Sequence, residues 1–277
     1  MAEVLPNTVY ISGCSHSHHW YLDRNLANSW TANLGFNTVY NHGLCGSSND
    51  FSARRAWMFC EKYRPELAIV QWTNLTRTET LGADAPTDQV ECYANILADS
   101  KENTSNKKVY HLVPEKPFTK KPWEETQQSP FFYKSTFYGP WNNDANSKAF
   151  VQIYDFTTYF CNLIKNAYLL QNYFKAIGQN YIFVNGTDWF HTSDLKMPDD
   201  YGHWYALDFL DMVADGPIKT VKPIADQIDR TRWLRSNIME TQIDKGTDDS
   251  HPGIKSHKIF ANNIITELEK LNVSDRK

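Results

Sequence analysis

Three short apolar, β-rich runs, each ending in a turn of small polar residues, constrain this chain more than any other feature. Residues 8–12 end at Gly13-Cys14-Ser15, and residues 37–41 run into Gly43-Leu44-Cys45-Gly46-Ser47-Ser48. Residues 67–72 are the clearest buried strand and leave through Thr73-Asn74-Leu75. Stretches with helical spacing separate the three runs. Strands covered on both faces are near-continuously apolar, and helical crossovers impose parallel pairing. The pattern therefore predicts an α/β chain with a parallel sheet between two helical layers.

Trp20, Leu22, Leu26 and Trp30 sit at helical spacing and predict a helix within 19–35. Ser48 or Asn49 caps a second helix with Phe51, Ala56, Trp57, Phe59 and Cys60 on its apolar side, closed by Pro65. The rhythm then stops. Residues 82–146 are polar, with prolines, lysines and scattered aromatics, and 109–113 is their one candidate strand. This segment lacks contiguous apolar sequence for a core of its own, which points to an insertion or lid within a single domain spanning 1–277. Helical periodicity returns over 149–177, with Phe150, Tyr154, Phe160, Leu163, Ile164, Ala167, Leu170 and Phe174 facing inward and Gly178 as the stop. Residues 181–184 form a fourth strand. Residues 203–238 suggest one or two helices broken at Gly216-Pro217. A turn-rich loop at 246–253 precedes a final helix over 254–271.

A chain of 277 residues has ample length for a real core. Its net charge of −4 and the absence of any basic tract argue against nucleic acid as a partner. The five cysteines are odd in number and contain no C-x-x-C pair, which disfavours a disulfide framework or a zinc site. No basic leader with a long apolar stretch opens the chain, and no window approaches the roughly 18 apolar residues of a spanning helix. The expectation is a protein without membrane attachment, in the cytoplasm or in a virus particle. Aromatics make up 14% of residues, which suits a sugar-contacting surface and equally suits a large core.

Gly13-Cys14-Ser15 alone is ambiguous, because a serine after a strand serves as a helix N-cap as readily as a nucleophile. The late loop Asp248-Asp249-Ser250-His251-Pro252 adds a carboxylate three residues before an imidazole, close enough to fix its tautomer. Asp249, one residue on, is the alternative carboxylate. With Ser15, the chain order becomes Ser…Asp…His, one of several that support the same geometry. Acyl transfer also requires donors for a developing oxyanion, and the backbone N–H of Gly46 and the Asn74 side-chain amide stand in turns at strand ends. The His16, His18, His19 cluster has metal-like spacing but no matching partners, so it reads as a polar loop. No metal or other cofactor is called for. Trp189-Phe190-His191 and Trp204-Tyr205 suit either a substrate groove or the core.

These residues together resemble the SGNH (GDSL-type) hydrolases. Gly13-Cys14-Ser15 matches the first block, Asn41-His42-Gly43-Leu44-Cys45-Gly46-Ser47 the second, Trp72-Thr73-Asn74-Leu75 the third, and Asp248-x-x-His251-Pro252 the last. The resemblance implies a flavodoxin-like α/β/α sandwich. It implies Ser15 as nucleophile, His251 as general base and Asp248 as its orienting carboxylate. The oxyanion donors would be Ser15, Gly46 and Asn74. Some positions depart from the family pattern: Cys14 replaces an Asp, Trp72 a Gly, Leu75 an Asp and Ser256 a Gly. Trp72 is expected to add bulk beside the pocket. Cys14 is expected to pack as a small apolar residue. The implied activity is metal-free hydrolysis of an ester or acyl group; the aromatic richness and the lack of a long apolar lid add a small acyl group, such as O-acetyl on a carbohydrate, as the candidate substrate. The rival readings are a non-catalytic glycan-binding or structural part of an assembly, and an acyltransferase using the same triad.

Overall fold

A computed structural model describes residues 3–19, 21–23, 25–44, 47–75, 77–81, 108–111, 135–138, 149, 155–186, 207 and 216–274. Among the described residues the main sheet has six strands: β1 (Glu3–Gly13), β2 (Thr38–Gly43), β3 (Tyr63–Trp72), β5 (Lys108–His111), β7 (Tyr181–Asn185) and β8 (Trp233–Asn237). Their spatial order is β5-β2-β1-β3-β7-β8, and every adjacent pair is parallel. Without the edge strand β5 this is the flavodoxin order, in which the chain switches sides between β1 and β3 and opens a crevice beyond the carboxyl ends of the strands. Two further strands, β4 (Thr78–Leu81) and β6 (Ser135–Tyr138), pair antiparallel with each other.

Alternation along the central strands divides the interior into two cores. Tyr10, Ala68, Val70, Trp72 and Phe183 face one side, where they meet Phe59, Phe160, Ile164 and Phe174. Val9, Ile11, Leu67, Ile69, Ile182 and Val184 face the other, against Trp30, Phe260 and Ile264. Helices α1 (Asn49–Lys62) and α2 (Phe156–Ala176) supply the first layer and α3 (Ile254–Ser274) the second. The result is the three-layer α/β/α sandwich that the strand pattern predicts.

The helices follow their capping and periodicity. The Ser48 hydroxyl accepts the Phe51 N–H at 3.1 Å, so Ser48 caps α1. Phe51, Ser52, Arg55, Ala56, Phe59 and Cys60 form the buried stripe of α1. Trp57, expected on that stripe, is instead 51% exposed. The helix ends at Lys62, and Pro65 lies within β3 opposite Leu5. The carboxylate of Asp155 caps α2 by accepting the Thr157 and Thr158 N–H groups. Phe160, Leu163, Ile164, Ala167, Leu170 and Phe174 are its buried positions, and Gly178 stops it at φ +67°.

Two expectations require correction. The described residues of 19–35 hold two 3₁₀ turns, Leu26–Asn28 and Thr31–Asn33, and no α-helix. Short polar side chains there capture backbone groups that a helix would use. Asn25 accepts the Ala27 N–H, Ser29 accepts the Ala32 N–H, and Asn33 donates to the Ala27 and Ser29 carbonyls. In addition, 233–237 is the strand β8 within a stretch expected to be helical. It contains no β-branched residue, so the usual strand signal is missing. The candidate strand at 109–113 is β5, which joins the main sheet beside β2. The remainder of the lid assigned to 82–146 lies outside the described residues, as do Phe150, Tyr154 and both aromatic clusters at 189–191 and 204–205. Among the described residues, no helix is long and apolar enough to cross a membrane.

Candidate active site

Ser15 follows β1, a strand flanked by β2 and β3 near the middle of the sheet, and opens a single 3₁₀ turn over Ser15–Ser17. Several polar contacts hold that turn. Asn41 donates to the Ser17 carbonyl at 2.6 Å, and the Ser17 hydroxyl donates to Gln71 Oε1, also at 2.6 Å. The Trp30 indole N–H donates to the His16 carbonyl at 2.9 Å. Cys14 is fully buried, and its thiol points to the same Gln71 oxygen at 3.6 Å. It therefore packs inside, as expected of a small, weakly polar residue.

The loop after β2 is fastened to the same point. The Leu44 N–H and the Ser47 hydroxyl both donate to the Gly13 carbonyl, at 3.1 and 2.8 Å. Gly46 itself lies outside the described residues. Asn49, the first residue of α1, clamps the turn after β3 from both sides. Its side chain accepts the Thr73 N–H at 2.7 Å and donates to the Thr73 carbonyl at 3.0 Å. Asn74 follows directly, 3% exposed, at the carboxyl end of the sheet. The Trp72 ring is fully buried against Phe183 and Trp233, so the bulk expected beside the pocket is placed in the core.

The last loop comes to Ser15 from the opposite end of the sequence. Asp244 folds it by accepting the Lys255 and Ser256 N–H groups, each at 2.9 Å, at the start of α3. The Ser256 hydroxyl donates to the same carboxylate at 2.5 Å and accepts the Ile243 N–H at 3.0 Å. A serine at this position thus has its own reason, although the family pattern has glycine. The Gly246 N–H donates to the His251 carbonyl at 2.8 Å, and the Gly253 N–H to the Asp244 carbonyl at 2.9 Å.

Within this frame His251 bridges two groups. Its Nε2 is 3.0 Å from Ser15 Oγ, and its Nδ1 is 2.5 Å from Asp248 Oδ2. Asp248 also accepts the Ser250 hydroxyl at 2.7 Å and the His251 backbone N–H at 3.1 Å. Ser250 escaped the sequence reading, although a hydroxyl two residues after an Asp is a common turn signal. Asp249 sits at φ +59° and is exposed.

The electrostatics follow from these contacts. Partial burial works against the Asp248 charge. The hydrogen bonds from Ser250 and His251 outweigh it and hold the carboxyl well below the usual range. Burial pushes His251 below its ordinary value of 6.5, with the Asp248 carboxylate pulling the other way and the Arg77 charge adding to the depression. His16, with its ring 4.8 Å from that of His251, is held well below 6.5, chiefly by burial and then by the charge of His251. His257 is lowered to about 4 by burial, and its Nδ1 accepts the Trp30 N–H.

The serine, the aspartate and the histidine predicted from sequence are therefore brought together, with Asn74 at the same edge of the sheet. Chemically, a histidine with its Nδ1 proton on a carboxylate keeps an Nε2 lone pair directed at a hydroxyl. His18 and His19 stack on one another at 4.8 Å. Among the described residues, no group of three or more His, Cys, Asp or Glu is arranged to hold a metal ion.

No protein-family model matches the chain, and no curated protein does. Solved structures similar to it include a protein assigned to the G-D-S-L lipolytic family from Desulfitobacterium hafniense. That likeness has a TM-score of 0.41 and 10% identity over 94% of this chain and 99% of the other. Another is the psychrotrophic esterase EstA from Pseudoalteromonas sp., with a TM-score of 0.42 and 12% identity over 96% of this chain and 98% of the other. The assignment of the sandwich rests on the strand order and register themselves.

Proposed function

We propose that the chain is a serine esterase that removes a small acyl group, acetyl being the simplest, from a carbohydrate or similar polar alcohol. The observation that carries the reading is the continuous path from Asp248 Oδ2 through the His251 ring to Ser15 Oγ, with contacts of 2.5 and 3.0 Å. Ser15 Oγ attacks the ester carbonyl carbon while its proton passes to His251 Nε2. Asp248 stabilises the resulting imidazolium and keeps the ring in place. The tetrahedral oxyanion takes hydrogen bonds from the Ser15 N–H, the Gly46 N–H and the Asn74 amide. Collapse breaks the ester C–O bond, and His251 returns its proton to the leaving alcohol. Water then attacks the acyl-enzyme, again with His251 as base, and releases the acid and Ser15.

The small, polar substrate is favoured by the aromatic content of the chain, 14% of its residues, which suits contact with sugars. Turnover of p-nitrophenyl acetate by the purified protein, against Ser15→Ala and His251→Ala, tests the chemistry. Each variant should lose a factor on the order of 10³ or more. Equal rates in all three proteins would remove Ser15 and His251 from the reaction. Substrate size is tested by comparing p-nitrophenyl acetate with p-nitrophenyl palmitate. A preference for the long chain would overturn the small-acyl assignment.

A further inference from the structure

The base of the proposed triad has a neighbour that the acyl-transfer scheme does not use. The half-buried Tyr21 ring lies face to face with the His251 imidazole, with centroids 3.5 Å apart and planes only 8° from parallel. The backbones are coupled at the same place. The Thr247 N–H donates to the Tyr21 carbonyl at 2.9 Å. A Cβ at Gly246 would come within 2.7 Å of that carbonyl oxygen and 2.8 Å of Tyr21 Cβ. The absence of a side chain at Gly246 is what lets the last loop press against Tyr21 and bring the imidazole onto its ring. Tyr21 and His251 are 230 residues apart in sequence, so this pairing is a tertiary arrangement and not a local accident.

We propose that Tyr21 is a positioning residue for His251, holding the imidazole plane so that Nδ1 meets Asp248 while Nε2 meets Ser15, and presenting its π face to the imidazolium that forms during catalysis. The inference rests on the esterase reading, because it assigns Tyr21 a part in that reaction. An imidazole bonded at only two in-plane nitrogens still rocks about the line joining them, and a flat ring against its face removes that freedom. An aromatic face also attracts a cation laid against it. The other charged or titratable groups acting on His251 are the Asp248 carboxylate, His16 and Arg77, and His251 acts in turn on His257. None of the geometric contacts among them supplies a parallel face.

The test compares the parent protein with Tyr21→Phe and Tyr21→Leu in two readouts. One is the pH profile of p-nitrophenyl acetate turnover, split into kcat and KM. The other is an NMR titration of the His251 ring, which requires no turnover. Tyr21→Phe keeps the face and should stay within about twofold of the parent, with the His251 pKa unchanged. Tyr21→Leu should lower kcat by about tenfold at unchanged KM and shift the His251 pKa down by roughly half a unit to one unit. A Leu variant with parental kcat and parental His251 pKa overturns the proposal. So does a Phe variant as impaired as the Leu variant, since the hydroxyl would then be the operative group. If the parent shows no turnover, the esterase reading fails by itself. The titration still decides the stacking: a drop in the Leu variant alone upholds Tyr21 as the partner of His251, and identical curves overturn it.

Discussion

The Asp248 carboxylate takes contacts from the Ser250 hydroxyl, the His251 backbone N–H and the His251 ring, and these turn the histidine's Nδ1 toward it. Replacing it by Asn keeps the shape but removes the charge that stabilises the imidazolium. Asp248→Asn should therefore lower kcat on p-nitrophenyl acetate by on the order of 10³–10⁴, with little change in thermal midpoint. The pH profile follows from His251. Burial depresses its pKa, so the neutral, proton-accepting ring persists to lower pH than in a free histidine. Activity should rise with pH along a limb whose midpoint lies below 6.5, and a midpoint above 7 would contradict the burial argument. At this scale the sequence was informative because the proposed reacting groups belong to short motifs. Asp248-x-x-His251 closes on itself within a turn, and Gly13-Cys14-Ser15 follows a strand. Tyr21 and Ser250 carried no comparable signal. One acts across 230 residues, and the other resembles any turn serine.

Among the elements, the last loop is built to hold its shape before any substrate arrives. Asp244 collects two backbone N–H groups at the start of α3 and the buried Ser256 hydroxyl, which itself receives the Ile243 N–H. Ser256→Ala should destabilise the fold by roughly 1–3 kcal/mol in urea unfolding, because one of its hydrogen bonds goes to an ionised carboxylate. Gly246→Ala should be more specific. Its new methyl meets the Tyr21 backbone, which has no flexible end to move aside, so the loop must retreat. Loss of kcat in that variant with an unchanged α-helical circular dichroism signal is the expected result. The central strands were legible because β1, β3 and β7 carry apolar runs buried on both faces, while β2 offered the short β-rich run Val39-Tyr40 before its turn. β8 was not, since Trp233-Leu234-Arg235-Ser236-Asn237 has neither alternation nor β-branching. The stretch 19–35 misled for a different reason. Its apolar residues keep a helical spacing, but Asn25, Ser29 and Asn33 take the backbone bonds on which that spacing depends. Trp30 is buried there all the same, tying the Ser15 turn to α3 through His16 and His257.

Among the described residues, one core lies on each face of the main sheet, and the proposed chemistry stands at the carboxyl ends of β1 and β3. Around it the fold encloses neutral histidines. Burial lowers His19 and His257 to about 4 and holds His16 well below 6.5. In the unfolded chain they take up protons near 6.5, so between about 6.5 and 4 the unfolded state binds more protons than the folded one. Stability must then fall as pH drops through that window. His19 and His257 should each contribute a loss of about 2 kcal/mol between pH 7 and 5, read as a lower urea midpoint. A midpoint that stays level over this range would mean that these rings are not held neutral. The central claim is that one hydroxyl, Ser15, is activated by His251. It is tested most directly by treating the protein with a fluorophosphonate and locating the adduct by mass spectrometry. The account predicts a single stoichiometric adduct on Ser15 that is lost in His251→Ala; no adduct, or an adduct on another residue, would contradict it.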